Sequence, residues 1–212
     1  MTVLEYLDRS GSSPFADWFT TLEAPAAAKV TTATLRLELG NLSNVKGVGA
    51  GVFEYRIDFG PGYRVYFGKD GESIVILLAG GTKKRQDRDL GSPTSDGLTT
   101  RSERRGRSEM PLTREFKETV QARIKADRKY RRELLREGVE CLLAGDLDTG
   151  RAILRDYINA TIGFEELSRR TKRPAKSLMR MLGPSGNPQA RNLFEVIVHL
   201  QRAEGLALRV VA

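Results

Sequence analysis

Basic and aromatic side chains occupy polar positions of two predicted strands in the first half of the chain. Residues 52–59 and 63–67 alternate between apolar and polar side chains, as β-strands do, and a basic segment follows at 83–88. Cleavage of RNA by its own 2′-hydroxyl needs a base, a cation and an acid, roles that Lys, Arg and Tyr can share. An alternative interpretation is a solvated sheet face with a basic tail. The catalytic candidates are Arg56, Arg64, Tyr66, Lys83, Lys84 and Arg88.

A second group of basic residues lies on two short helices predicted near the end of the chain. Residues 164–170 and 174–182 each place apolar side chains on one face, and 171–173 form a tight link between them. This pattern is typical of a helix-turn-helix, whose second helix enters the major groove of DNA. A plain helical bundle with a basic face fits the pattern equally well. The candidate DNA contacts are Arg173, Lys176, Ser177 and Arg180, with Arg169, Arg170 and Lys172 as phosphate contacts.

The composition of the chain excludes several classes of protein. Its 212 residues carry a net charge of +8, which suits nucleic acid or another anionic surface. One Cys and one His exclude a disulfide framework and metal sites built from several cysteines or several histidines. We predict no metal and no cofactor. No apolar run approaches the roughly 18 residues of a membrane helix, and no signal peptide precedes the first element. We expect a cytoplasmic protein with no membrane contact.

The charge is unevenly distributed and predicts two domains. Residues 1–91 hold 11 basic and 11 acidic side chains, whereas residues 110–212 hold 20 basic and 13 acidic ones. Residues 92–109 have a single apolar side chain among Ser, Thr, Gly, Pro and charged residues, so they bury too little surface to fold. We predict domains at 1–91 and 110–212, joined by a flexible linker at 92–109. A long surface loop within one domain is the alternative.

The first domain is predicted to be α+β. A short strand at 3–7 precedes two helices, one from Ser13-Pro14 and one over 25–39. Three strands joined by tight turns then form an antiparallel meander, and the two helices must cover one face of this antiparallel sheet.

The second domain is predicted to be all-α. Its first helix is capped by Thr113, with Glu115 and Glu118 in the first turn.

The first half resembles the HigB-like branch of the RelE/ParE superfamily of small bacterial toxins. The resemblance rests on FEYRIDFGPGYRVYFGKDGESIVILLAGGTKKRQDRD and on the order of the predicted elements, and it covers nearly all of residues 1–89. It implies a ribosome-dependent mRNA endoribonuclease; in ParE relatives the target is DNA gyrase instead. Relatives continue into a basic, aromatic helix, whereas here Gly91 leads into the linker. We therefore expect a weakened or inactive toxin domain.

The second half resembles the HigA-like antitoxins, which carry an XRE/Cro-type helix-turn-helix. The matching residues are EELSRRTKRPAKSLMRML and GNPQARNLFEVIVHL, within a resemblance that spans residues 110–212. Lys172 occupies the turn position where these antitoxins commonly have Gly, so a left-handed backbone there costs more. The resemblance implies operator DNA as a partner, bound as a homodimer.

The two resemblances together predict a type II toxin–antitoxin fusion. Its toxin domain is neutralised by a DNA-binding antitoxin domain that represses its own operon, through an intramolecular or intermolecular contact. Its partners are operator DNA and, if the toxin half is active, mRNA on the ribosome. One alternative is a transcriptional regulator with a catalytically dead toxin-like domain, and another is a gyrase-targeting toxin.

Overall fold

The computed structural model describes residues 1–71, 74–82 and 112–208. These residues form an α+β structure with six strands and eight helices, and their contacts divide the chain into two compact units, Met1–Thr119 and Val120–Ala212. No helix among the described residues has both the length and the apolar composition needed to span a bilayer.

The first unit contains one sheet and two covering helices. The helices are α1 (Pro14–Thr21) and α2 (Ala24–Glu38), and the strands are β1 (Thr2–Tyr6), β2 (Val45–Gly49), β3 (Val52–Ile57), β4 (Tyr63–Asp70), β5 (Ile74–Thr82) and β6 (Thr113–Glu115). The strand order is β2-β3-β4-β5-β1-β6. The meander from β3 to β5 and both helices were predicted. The expectation of an antiparallel sheet was wrong, because β1 pairs in parallel with β5 and the sheet is mixed.

The two helices follow their sequence signals. The side chain of Ser13 caps α1 by accepting a hydrogen bond from the Ala16 amide at 3.1 Å, and Pro14 occupies the first helical position. Phe15 and Phe19 of α1 are fully buried. In α2, a run of alanines is buried, and their small side chains leave room for close contact with neighbouring elements. These helices close one face of the sheet.

The strand β6 replaces a predicted helix start. Thr113 was expected to cap a helix with Glu115 in its first turn, but Thr113–Glu115 pair antiparallel with β1 and the helix begins at Phe116. The cause is a partner far away in sequence, since Arg114 pairs with Glu5 and Thr113 with Tyr6. Local signals for a helix are weak over three residues, and the free edge of β1 supplies backbone hydrogen bonds instead.

The second unit is helical in its described residues. Its helices are α3 (Phe116–Ala126), which contains the boundary between the units, α4 (Arg128–Leu143), α5 (Leu147–Ala160), α6 (Gly163–Thr171), α7 (Ala175–Met181) and α8 (Ala190–Glu204). Apolar side chains from α4 to α8 share one core, which includes Leu135, Leu154, Leu167, Leu178 and Leu200. Cys141 is buried, as its apolar surroundings in the sequence predicted. This core fixes the positions of α6 and α7.

Candidate functional site

The turn between α6 and α7 is tight and has one left-handed residue. Lys172 ends α6 with φ 54° and ψ 32°, the left-handed conformation expected at this position. The hydroxyl of Ser168 donates to the carbonyl oxygen of Arg173 at 2.5 Å and closes the turn. Leu167 and Leu178 are buried on the inner sides of the two helices. The turn and these buried side chains therefore fix which face of α7 is exposed to solvent.

The outer face of α7 is basic and exposed. Lys176, Ser177 and Arg180 are exposed, whereas Leu178 is 1% exposed. Lys176 and Arg180 are four residues apart and so share one side of the helix. Neither forms an ion pair with another residue of the described chain. Two cations without a carboxylate partner on a rigid helix are suited to contact phosphates or guanine edges.

Two further basic residues of the predicted interface are ion-paired on the surface of α6. Arg169 and Arg170 both contact Glu166, at 2.8 Å and 2.6 Å. The hydrogen bond from Arg170 is the main reason that the pKa of Glu166 lies below its usual value. Because both pairs are solvent-exposed, they hold the guanidinium groups weakly. Arg169 and Arg170 thus keep enough freedom to exchange Glu166 for a phosphate.

Arg173 is fixed more firmly than the other predicted contacts. Its Nε and Nη2 both donate to one carboxylate oxygen of Glu195 in α8, at 3.0 Å and 2.8 Å. Glu195 thereby neutralises part of the charge at the start of α7. Arg173 therefore ties the turn to α8.

A polar groove of about 430 Å³ runs beside α7 and extends to the start of α8. It is lined by Arg173, Ser177 and Arg180 together with three amide side chains, Asn187, Gln189 and Asn192. Sequence analysis missed these amides, although the segment Gly186-Asn187-Pro188-Gln189 marks a break that brings polar residues next to α7. Asn and Gln are side chains that pair with adenine in the major groove. The groove therefore combines donors and acceptors with basic charge.

The candidate catalytic face of the first unit is largely buried. Arg56 lies directly opposite Arg64, and Glu54 lies opposite Tyr66, so all four share one face of the sheet. Arg56 is exposed over 46% of its side chain, but Arg64 is 7% and Tyr66 2% exposed. The structure brings together three of the predicted catalytic residues and leaves one of them, Arg56, open to solvent.

A single buried carboxylate neutralises the two arginines. Glu54 Oε1 accepts a hydrogen bond from Arg56 Nε at 2.7 Å and lies 3.5 Å from Arg64 Nε. Arg64 also donates through Nη1 to the Tyr63 carbonyl at 2.9 Å. A phosphate at this face would have to compete with Glu54 for both cations.

The remaining predicted catalytic residues, Lys83, Lys84 and Arg88, lie outside the described residues, as does the predicted linker at 92–109. Within residues 1–71, 74–82 and 112–208, no three His, Cys, Asp or Glu side chains form a group that could hold a metal ion. The described part of the candidate catalytic face carries arginine, tyrosine and carboxylate side chains.

No protein-family model and no solved structure matches the chain. A stretch of 77 residues is 44% identical to an uncharacterized protein of Haemophilus influenzae. That stretch makes up 36% of this chain and 78% of the H. influenzae protein. The chain therefore belongs to the same family as this protein.

Proposed function

We propose that the chain is a toxin–antitoxin fusion whose second unit binds operator DNA and represses its own operon. The observation that carries this proposal is the outer face of α7, where Lys176, Ser177 and Arg180 are exposed on a helix fixed by a tight turn and a buried Leu178. In this proposal, α6 and α7 form a helix-turn-helix and α7 enters the major groove.

The groove beside α7 supports a role in base recognition as well as phosphate contact. Arg173 and Arg180 supply charge, and Gln189 and Asn192 supply amide groups at the neighbouring start of α8. Arg169 and Arg170 reach phosphates at the other end of the motif once they leave Glu166. Phosphate contacts position such a protein, whereas contacts to base edges select the sequence.

Operator binding of this kind commonly uses a two-fold dimer on a pseudo-palindromic site. We therefore propose a homodimer with one copy of α7 in each half-site. Half-sites centred about 34 Å apart, one turn of DNA, are the expected spacing. The protein would act in the cytoplasm, where its own operon and the ribosome are accessible.

A second candidate function is a transcriptional regulator whose toxin-like unit is inactive as a ribonuclease. Two observations favour an inactive toxin-like unit over an active enzyme. Arg64 and Tyr66 are buried, and Glu54 pairs with both Arg56 and Arg64. A catalytic cation must reach the reacting phosphate, and of the two candidate arginines that the structure describes, Arg56 is exposed and Arg64 is buried.

DNase protection of the DNA upstream of the coding sequence tests the proposed operator binding. The intact chain should protect a pseudo-palindromic site, and the double variant Lys176→Ala/Arg180→Ala should protect none. Lys129→Ala, which removes an exposed charge from the start of α4, serves as the matched control and should protect the same site. Absence of protection by the intact chain would contradict the proposal.

Cleavage of mRNA in a purified translation reaction distinguishes a neutralised toxin from a regulator with an inactive toxin-like unit. The intact chain is compared with its first fragment, which is released by a protease site placed within 92–109 and separated from the second fragment before the assay. Cleavage by the separated fragment alone would support a neutralised toxin. No cleavage by the intact chain or by a separated fragment that is still folded would support the regulator with an inactive toxin-like unit.

A further inference from the structure

The outer edge of β1 carries a strand that comes from a distant part of the sequence. Leu4, Glu5 and Tyr6 pair with residues 115, 114 and 113 of β6, and the amide of Leu7 donates to the Leu112 carbonyl at 2.8 Å. Strand addition to a free sheet edge is a common way in which a protein binds an extended peptide. The short strand β6 thus pairs with the edge of β1 in the same way as a bound peptide would.

Glu5 gives this edge a charge that the added strand must match. The residue is fully buried, and its Oε2 accepts a hydrogen bond from Arg114 Nη2 at 2.8 Å. Its Oε1 has no hydrogen-bond partner among the described residues. A buried carboxylate without a cation is strongly unfavourable, so the edge selects a strand with a basic residue at this register.

Phe116 supplies the second contact of the added segment. Its ring is 3% exposed and lies edge-on to Phe15 and Phe19 of α1, with ring centroids 5.2 Å and 5.3 Å away. Arg114 lies in β6, and Phe116 follows the strand as the first residue of α3. Glu115 lies between them and is exposed.

We propose that the β1 edge, Glu5 and the rings of Phe15 and Phe19 form a docking site for a segment that adds a short strand and then begins a helix, with Arg in the strand and Phe two residues later. The segment Leu112–Phe116 of the same chain is its occupant. Three kinds of contact act together there: backbone pairing, a buried ion pair and an aromatic anchor. The segment stays bound without the covalent connection through residues 83–111.

The docking site would join the two halves of the proposed fusion, but its chemistry does not depend on DNA binding or RNA cleavage. A test that measures only the association of fragments therefore separates the two proposals. Loss of operator binding would leave the docking site intact, and separation of the fragments would leave the proposed DNA contacts of α7 unchanged.

The experiment cuts the full chain at a protease site placed within 92–109 and follows the two fragments by native mass spectrometry and size exclusion. The wild-type fragments should remain together at micromolar concentration. Glu5→Arg and Arg114→Glu should each weaken their association at least about tenfold, the effect expected of a buried charged hydrogen bond. The double variant, which restores opposite charges in exchanged positions, should recover most of the loss.

Two further variants keep the test decisive. Phe116→Ala should weaken association about a hundredfold or more, because it removes a buried aromatic side chain without changing charge. Glu115→Gln, on the exposed side of the same strand, should leave association unchanged. Thermal melting of each uncut variant shows that it is folded. Separation of the wild-type fragments, or single variants that bind as tightly as wild type, would overturn the proposal.

Discussion

The guanidinium group of Arg173 donates two hydrogen bonds to the same carboxylate oxygen of Glu195. This pair links the turn before α7 to α8, and about a third of each side chain is exposed. Arg173 therefore has a structural partner in the free protein, unlike Lys176 and Arg180 on the outer face of α7.

The first prediction concerns the free energy of this pair. Because both side chains are partly solvated, Arg173→Ala and Glu195→Ala should each destabilise the protein by less than about 1 kcal/mol. The two effects should be non-additive, with a coupling of about 0.5 kcal/mol in a double-mutant cycle measured by urea unfolding. A coupling of zero would show that the hydrogen bonds do not fix the turn.

The second prediction concerns the left-handed backbone at Lys172. Since glycine adopts this conformation without a Cβ penalty, Lys172→Gly should stabilise the protein by about 0.5–1 kcal/mol in urea unfolding. The matched control is Lys176→Gly in α7, which should destabilise by about 1 kcal/mol because glycine is unfavourable inside a helix. If both substitutions destabilise the protein, backbone strain at Lys172 is not significant.

The turn shows which features of the structure the sequence was able to predict. Apolar spacing predicted α6, α7 and the buried Leu167 and Leu178. These features depend on neighbours within a few residues. The meander from β3 to β5 was predicted for the same reason, since period-two alternation and turn residues are local signals.

Features that depend on distant partners were missed or misread. The strand β2 is rich in glycine and has no alternating pattern, and β6 was interpreted as a helix start because its partner β1 is more than a hundred residues away. The same limit applies to the candidate catalytic face. Alternation placed Glu54, Arg56 and Arg64 on polar positions, but their mutual pairing and the burial of Tyr66 depend on tertiary contacts.

The third prediction tests the contact between α1 and β5. A Cβ added to Gly80 would lie 2.0 Å from the ring of Trp18, too close for any real contact. Gly80→Ala should therefore destabilise the protein by about 3 kcal/mol, the upper part of the range for overpacking. Gly68→Ala in β4 is the control, since its Cβ would meet nothing within 4 Å. Equal unfolding midpoints for the two variants would contradict this contact.

The fourth prediction is a loss of stability above pH 10 that depends on Tyr157. Burial, and then the hydrogen bond to Glu204 Oε1 at 2.7 Å, raise the pKa of Tyr157 well above its usual value. The unfolded chain therefore releases this proton near pH 10 while the folded chain retains it. Stability from this group is fully present below pH 10 and decreases as the pH rises, by about 1 kcal/mol between pH 10 and 11.

Tyr157→Phe isolates this effect from the titration of other groups. At pH 7 the variant should be less stable than wild type by about 1–2 kcal/mol, because it lacks the hydroxyl that donates to Glu204. The difference should shrink above pH 10, as only the wild type loses stability through this residue. Urea unfolding at several pH values measures it, and a constant difference across pH 7–11 would show that the wild-type hydroxyl titrates normally.

We propose that the outer face of α7 recognises a DNA sequence. Equilibrium binding of the intact chain, at physiological salt, to its own upstream DNA and to a scrambled DNA of equal length tests it most directly. We predict at least about a thousandfold preference for the upstream DNA. Lys176→Ala and Arg180→Ala should each lower affinity about tenfold or more, and Lys129→Ala should not. Equal affinity for the two DNAs, or unchanged affinity in both α7 variants, would contradict the claim.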